Sequence, residues 1–473
     1  MTQLPEGFGL DLDRSVRSFR RGTVLAGGHP GRLLILSDSG VDALAALVAG
    51  GPLAESARHL GARLVDAGMA HPRWDGDGAH PRWDGAVTVV VPTRDRSEPL
   101  DRCLASLGGS APVLVVDDGS ERTDRVASVC GKHGATLITR PTNGGPAAAR
   151  NDALAAVTTE YIAFVDSDCT VTEGWLHPLM RLFLDPTVGA VAPRIRPEHP
   201  TASNEASALD RYSDARSALD MGSDPSEVGP GRQVRYVPTA ALVVRRAAVI
   251  DGFDRDLRVG EDVDLVWRLL TDGWRVRFEP SVTVHHREPS SWAALLARRF
   301  RYGTSAGPLA ARHPGRLAPV ELRPGPTAAV AALLLRRPRT AAVVVLASTA
   351  QLASTLSGTG IPAHRSLLWG MEAVGWTWVG IGRAATMLAA PLMVLSGLRS
   401  RKAAATIALL VLAPPALEWW RKRPGLDPMR WAAASVADDI AYGAGVWAGC
   451  LSSRSFGPLL PEVRRSGGSP AAS

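Results

Sequence analysis

The chain reads as a doubly wound α/β protein, and three observations predict it. Continuous apolar runs recur at Ala86–Val91, Pro112–Val116, Ala135–Thr139 and Tyr161–Val165. Each has the length and composition of a strand buried on both faces of a parallel sheet. Helical stretches separate the runs at the short spacing of βαβ units. Three of the strands stop at polar, turn-forming segments: Pro92-Thr93-Arg94-Asp95-Arg96, Asp117-Asp118-Gly119-Ser120 and Asp166-Ser167-Asp168. Ligands bind at the carboxyl ends of strands in such sheets, so these segments can converge on one ligand.

Residues 1–70 precede that pattern and read as a small α+β domain. Short strands are expected around Ser18–Val24 and Gly31–Leu36, then a helix over Val41–Val48 with Ser37, Asp38 or Ser39 as its cap. Leu53–Gly68 holds a second helix and has room for a third. His71-Pro72-Arg73-Trp74-Asp75-Gly76 recurs as His80-Pro81-Arg82-Trp83-Asp84-Gly85. The block 71–85 is rich in turn residues and reads as a linker; two copies are too few for a solenoid. The α/β domain then occupies 86–319. Helices are expected over Pro99–Leu107 and Asp124–His133, and another opens at Asn143–Asn151. Side chains alternate with period two along a strand, so Asp166 and Asp168 face the same way. Two hard oxygen ligands there can hold a divalent cation, and through it a diphosphate.

Farther on, Asp251-Gly252-Phe253-Asp254 leads to Gly260-Glu261-Asp262-Val263-Asp264-Leu265 and Arg268. The apolar periodicity of Val263–Leu270 predicts a helix that Glu261 and Asp262 begin, the end at which the helix dipole favours carboxylates. Strands follow at Trp274–Phe278 and at Val282–Arg287, the second carrying His285-His286.

Taken in order, these motifs resemble the family 2 glycosyltransferases, which have the GT-A fold. The resemblance covers about Ala86 to Gly303. It implies that Pro92, Thr93 and Asp118 bind the nucleoside, that Asp166 touches the ribose or a metal-bound water, and that Arg150 sits near the diphosphate. It also implies that Asp168, with Asp166, binds Mg²⁺ or Mn²⁺, and that His285 or His286 adds a further contact; which of the two faces inward depends on register. Asp262 would be the base of an inverting transfer, with Glu261 and Asp264 binding acceptor or capping the helix. Arg298-Arg299-Phe300-Arg301-Tyr302 stands where processive members carry Q/R-x-x-R-W. Arg298 and Arg301 would then bind acceptor, and tyrosine in place of tryptophan leaves processivity open. Residues 1–70 are similar to winged-helix-like domains that bind leader peptides by strand addition. The whole plan resembles the branch of the family that decorates mycofactocin, a peptide-derived redox cofactor, with β-1,4-linked glucose from UDP-glucose. Family members of cell-wall polysaccharide synthesis share the core motifs alone.

Beyond Pro319 the composition turns apolar. Thr340–Ala363 has no charged residue and is long enough to span a bilayer. Ala384–Leu398 and Ala403–Leu417 are shorter apolar stretches, with Arg399, Arg401 and Lys402 between them and Arg421, Lys422 and Arg423 beyond. Trp369, Trp376, Trp378, Trp419 and Trp420 suit an interface. Asp438 and Asp439 argue against a simple final span. The region 320–455 is therefore expected to be membrane-associated helices, and 456–473 a disordered tail. Basic clusters would hold the catalytic domain on the cytoplasmic face.

Composition narrows the class further. The chain has 473 residues, 53 basic and 46 acidic side chains, and a net charge of +7. That balance suits nucleotides or anionic lipid, while no zinc spacing or helix-turn-helix signal points to nucleic acid. Cys103, Cys130, Cys169 and Cys450 form no C-x-x-C pair, as expected in a reducing compartment. Met1–Arg21 has no apolar core of a signal peptide. A sugar nucleotidyltransferase would want a glycine-rich loop after the first strand, which Pro92–Arg96 does not offer. A non-catalytic peptide and membrane scaffold would not need Asp166, Asp168 and Asp262 together.

Overall fold

The computed structural model describes residues 3–76, 83, 85–198 and 206–464. It divides into two compact units, Met1–Pro200 with Arg216–Glu288, and Thr201–Ala215 with Pro289–Ser473. The boundary after Glu288 lies ahead of the expected one at 319.

The first unit opens with β1 (Phe8–Leu12), β2 (Arg17–Phe19), β3 (Val24–Gly27), β4 (Arg32–Ile35), α1 (Asp38–Ala49), α2 (Glu55–Asp66) and β5 (Ala70–Trp74). β2, β3 and β4 form an antiparallel sheet, and β1 pairs with β5. Of the three candidate caps, Ser37 caps α1, its side chain accepting from Gly40 N. Leu53–Gly68 yields one further helix. The first His-Pro-Arg-Trp copy is strand β5, where a linker was expected. Trp74 meets Phe8 edge-on at 5.2 Å, and Arg73 donates to Asp75, Asp11 and the Val48 carbonyl. Those contacts outweigh the turn propensity of the segment. The second copy lies outside the described residues except for Trp83 and Gly85. Nor are residues 3–76 a body apart: Leu4, Phe8, Leu47 and Leu64 share one buried core with Val89, Leu100 and Val191. Arg232 donates to the His29 and Asp66 carbonyls at 3.0 and 2.8 Å, clamping the two parts together.

The α/β part follows the expected order: β6 (Val87–Thr93), α3 (Ser97–Leu107), β7 (Val113–Asp117), α4 (Thr123–His133), β8 (Thr136–Thr139), α5 (Pro146–Ala156) and β9 (Tyr161–Val165). Next come β10 (Cys169–Thr170), α6 (Leu176–Arg181), β11 (Val188–Pro197), α7 (Ala208–Arg216), β12 (Ser226–Glu227), β13 (Ala241–Arg245), α8 (Glu261–Thr271) and β14 (Arg275–His286). All but the last residue of α7 belongs to the second unit. The sheet runs β8-β7-β6-β9-β13-β11-β14-β10, with β12 on β14. β8, β7, β6 and β9 are parallel, whereas β13 is antiparallel to both β9 and β11. Two separate strands were expected where β14 runs unbroken. Its pairing with β11 shifts between Pro193 and Arg194, opposite Glu279 and Thr283, so the irregularity absorbs Pro280 without ending the strand.

The second unit is helical: α9 (Trp292–Thr304), α10 (Ala306–Arg312), α11 (Pro324–Leu334), α12 (Pro338–Thr355), α13 (Ala363–Arg399), α14 (Arg401–Lys422) and α15 (Pro428–Ser453). Among the described residues two helices, α13 and α14, are long and apolar enough to cross a membrane. The charge-free stretch Thr340–Ala363 does not become one span. Its helix stops at Thr355, and Gly358 and Gly360 turn the chain at φ +83° and +79°. The tail expected to be disordered begins with structure, since Glu462–Val463 pairs with Glu321–Leu322; residues 465–473 lie outside the described ones. Asp438, 1 % exposed, accepts from Arg299 and, at 3.0 Å, from the Tyr212 hydroxyl. This buried network explains an aspartate in an apolar helix.

α9 approaches α15 through glycine. A Cβ on Gly303 would stand 2.2 Å from the Tyr442 carbonyl oxygen, and one on Gly445 2.0 Å from that of Phe300. Gly303→Val should therefore lower stability by about 1–3 kcal/mol, read as a fall in melting temperature of the detergent-solubilised chain.

Candidate active site

The carboxyl ends of β6, β7 and β9 do converge. Thr93 stands opposite Asp117 in the β6–β7 register, and Asp118 N donates to the Thr93 carbonyl at 2.9 Å. The loop after β6 is tied to the loop after β7: Asp95 N donates to Ser120 Oγ and Glu121 N to Asp95 Oδ1, both at 2.8 Å. The two adjacent aspartates are used differently. Asp118 accepts from Gly144 N at 2.9 Å, from Gly145 N at 2.7 Å and from Arg140. It therefore organises the loop that starts α5. Asp117 accepts from Ser120 N at 3.1 Å through one oxygen. Its Oδ2 is buried without a hydrogen-bond partner, as is Thr93 Oγ1. Buried polar atoms are rarely left unpaired, and these two lie at the sheet end where a ligand binds.

Asp166 and Asp168 sit in a tight turn between β9 and β10, closed by Cys169 N donating to the Asp166 carbonyl at 2.9 Å. The turn, rather than strand alternation, directs their side chains, and they take different partners. Asp166 receives Arg150 Nη2 at 2.8 Å. Asp168 receives Arg96 and lies 3.7 Å from His286 Nε2. β14 sets that contact, because it pairs Cys169 with His286 and Thr170 with His285. His286 is the buried member of the pair, and alternation puts His285 on the opposite face. The His286 Nδ1 atom has no hydrogen-bond partner and lies 3.8 Å from Glu288 Oε1.

Arg150 is not a surface residue. It is 3 % exposed, donates to Asp166 and, at 2.8 Å, to Glu261 Oε1, and lies over the Phe253 ring at 5.4 Å. Burial alone would lower its pKa, but Asp166, Glu261 and Asp262 together raise it above the ordinary value. Burial likewise pushes the Asp166 carboxyl up, against the pull of Arg150, and Asp168 adds to the rise. The Gly-Phe-Asp segment is the other wall. Asn151 clamps Phe253 at both backbone groups, each at 2.7 Å. Gly252 has φ +61°, and a Cβ there would stand 2.5 Å from Asn151 Oδ1, so only glycine fits.

Gly260 ends the approach to α8 in a left-handed conformation, φ +87°, placing three carboxylates in the first turn. Glu261 goes to Arg150. Asp264 is 3 % exposed and accepts from Arg268 Nε at 2.8 Å, while Arg268 Nη2 reaches the Gly252 carbonyl at 2.6 Å. Both brace the helix through these arginines. Asp262 alone has no cation in contact, only Val263 N at 2.8 Å. Burial, with Glu261 beside it, raises its carboxyl to about 7.

Arg298 and Arg301 lie on α9 in the second unit, Arg298 over the Tyr302 ring at 5.9 Å and Arg301 exposed. The arginine between them, Arg299, is the one bound to Asp438. Sequence reading also passed over Arg96, Arg140 and Asn151. Arg140 directly follows a strand, a detectable signal; Asn151 sits mid-helix and gives none. Among the described residues no cluster of three or more His, Cys, Asp or Glu side chains could hold a metal ion. Asp168 and His286 form a two-member set. That fits a cation completed by phosphate oxygens and water, as Mg²⁺ sites commonly are.

Removing the buried cation should be costly. Arg150→Met leaves Asp166 and Glu261 facing each other and should destabilise by about 3–5 kcal/mol, measured by denaturant unfolding. The Asp166 carboxyl, already pushed up by burial, would lose the cation that pulls it down. The folded variant holds more protons than the unfolded chain, so its deficit should shrink as pH falls from about 7 toward 5.

The description "Glycosyl transferase family 2" matches residues 88–236. A pre-mycofactocin glycosyltransferase of Mycobacterium tuberculosis is 37% identical over 494 residues, covering 98% of this chain and 99% of that protein. An N-acetylglucosaminyltransferase of Rhizobium leguminosarum is 27% identical, over 46% of this chain and 55% of its own length. A mannosyltransferase from Pyrobaculum calidifontis, solved in complex with GDP-Man and Mn²⁺, is 22% identical with a TM-score of 0.39, over 73% of this chain and 90% of that one.

Proposed function

The chain belongs to the family 2 glycosyltransferases, close to the pre-mycofactocin glycosyltransferases, and from that premise we propose that it moves glucose from UDP-glucose onto a peptide-derived redox-cofactor precursor. Transfer would proceed with inversion and build a β-1,4-linked oligosaccharide. The observation that carries this reading is the length of the likeness. Identity of 37% extends over 98% of the chain, beyond the catalytic core into both flanking regions. The likeness to the Rhizobium enzyme covers 46%.

Asp262 is the proposed base. An inverting transfer needs one group to take the acceptor hydroxyl proton while that oxygen attacks the anomeric carbon. A carboxyl raised to about 7 suits that task near neutral pH. Pro92, Thr93 and the unpaired Asp117 oxygen would bound the nucleoside, and Asp118 would complete that wall through the loop it holds at Gly144 and Gly145. Asp168 and His286 would hold Mg²⁺ or Mn²⁺, with Asp166 beside them. Bound there, the cation would neutralise charge on the departing diphosphate as a Lewis acid. Arg150 would act indirectly, by fixing Asp166 and Glu261. Residues 3–76 would receive a leader peptide as an added strand on the β2–β4 sheet. α13 and α14 would hold the enzyme at the cytoplasmic face of the membrane.

Three measurements test this. A panel of UDP-hexoses, with purified full-length chain, Mn²⁺ or Mg²⁺ and premycofactocin as acceptor, should give successive hexose additions from UDP-glucose. EDTA should abolish them and added Mn²⁺ restore them. Turnover on lipid-linked or polysaccharide acceptors alone would overturn the acceptor assignment. Asp262→Asn should cut kcat by about 10²–10⁴-fold with the melting temperature retained; unchanged turnover would sink the base assignment. Because the base must be ionised, kcat/KM should rise about tenfold per pH unit below about 7 and level off above it.

A further inference from the structure

Two helical hairpins of the second unit end in unneutralised cations. α11 and α12 turn at Leu335-Arg336-Arg337, with Arg339 in the first turn of α12. α13 and α14 turn at Arg399-Ser400-Arg401-Lys402. The two tips are joined: the Arg336 guanidinium donates to the Lys402 carbonyl at 2.7 Å and to the Thr406 hydroxyl at 3.4 Å. All six basic side chains are exposed, and none has an ion-pair partner among the described residues. No aspartate or glutamate occurs between Glu321 and Glu372, or between Glu372 and Glu418.

The other end of the second hairpin is treated differently. Arg383 on α13 pairs with Glu418 on α14, and Arg421 lies over the Trp376 ring at 4.7 Å. Cations at the base have partners; those at the tip do not. Between base and tip, Ala384–Leu398 and Ala403–Leu417 carry no charge, and Leu392, Leu395, Leu398, Leu409 and Leu412 are exposed. The uncharged part of each arm rises about 22 Å at 1.5 Å per residue, and each helix runs on past it to a length that crosses a hydrocarbon core about 30 Å thick. Long basic side chains at the tips extend the apolar arms to headgroup phosphate.

We propose that the joined tips, Arg336, Arg337, Arg339, Arg399, Arg401 and Lys402, form a docking surface for anionic lipid headgroups. The proposal rests on the membrane association proposed for α13 and α14. Guanidinium forks match phosphate oxygens. Clusters of four to eight Lys or Arg beside an apolar helix are the composition that reads an anionic leaflet. The bare acyl-facing leucines behind the tips point to a lipid rather than a free phosphate.

The test uses the full-length chain in vesicles of phosphatidylcholine alone, or of phosphatidylcholine with phosphatidylglycerol. Vesicles are floated, the chain is extracted in mild detergent, and the retained lipid is identified by mass. The chain should float with both, and from the mixed vesicles should retain phosphatidylglycerol enriched about fivefold or more over bulk. Arg399→Gln/Arg401→Gln/Lys402→Gln and Arg336→Gln/Arg337→Gln/Arg339→Gln should each lose most of that enrichment while still floating on phosphatidylcholine. Retained lipid at the bulk ratio, or enrichment unchanged in both variants, overturns the headgroup surface and leaves membrane association standing. Failure to float with either composition overturns both.

Discussion

A single buried arginine holds the candidate site together. Arg150 reaches from α5 to Asp166 at the end of β9 and to Glu261 at the start of α8. Those two carboxylates lie 95 residues apart in sequence (261 − 166), so one guanidinium joins the segment after the fourth parallel strand to the helix that carries Asp262. Burying a charge is tolerated only when it is paired, and here each partner also needs the arginine. The same cation acts on Asp262 from a distance. It pulls that carboxyl down, while burial and Glu261 push it up by more. Geometry and proton affinity at the site thus depend on the same side chain.

The loops around the nucleoside end follow a similar division of labour. Asp118 is spent on Gly144, Gly145 and Arg140 and shapes the start of α5. Asp117, one residue earlier, retains a buried unpaired oxygen. Adjacent identical residues therefore separate into a structural and an available carboxylate, by the direction each leaves the end of β7. The first turn of α8 repeats the pattern: Glu261 and Asp264 brace, and Asp262 has no cation in contact.

Much of this architecture was legible in the residues. Apolar runs with turn-forming ends located β6, β7, β8 and β9 to within a residue or two, since burial on both faces leaves a continuous hydrophobic signature. The Asp166–Asp168 turn was located on the same basis, and the start of α8 at Glu261 by the helical periodicity of Val263–Leu270. Partner choice was not legible. Nothing local to Arg150 reveals that two distant carboxylates close over it, and Asp264 reads as available until Arg268, one helical turn on, is seen to occupy it. β5 was missed because proline and glycine suggest a linker, while the aromatic contact between Trp74 and Phe8 links positions 66 residues apart (74 − 8). The continuity of β14 was likewise not legible, because the shift in its pairing with β11 that accommodates Pro280 lies on a distant strand.

That shift gives the doubled histidine a consequence of its own. Register in a strand is all or none: a slip of one residue turns every side chain to the other face. β14 already carries an irregularity between Glu279 and Thr283, the place where such a slip costs least. In most strands it would carry the functional side chain away from the site. Here an inserted residue upstream would bring His285 to the place His286 now occupies beside Asp168. Two consecutive histidines make the identity of the side chain at that place robust to an error in the strand that delivers it.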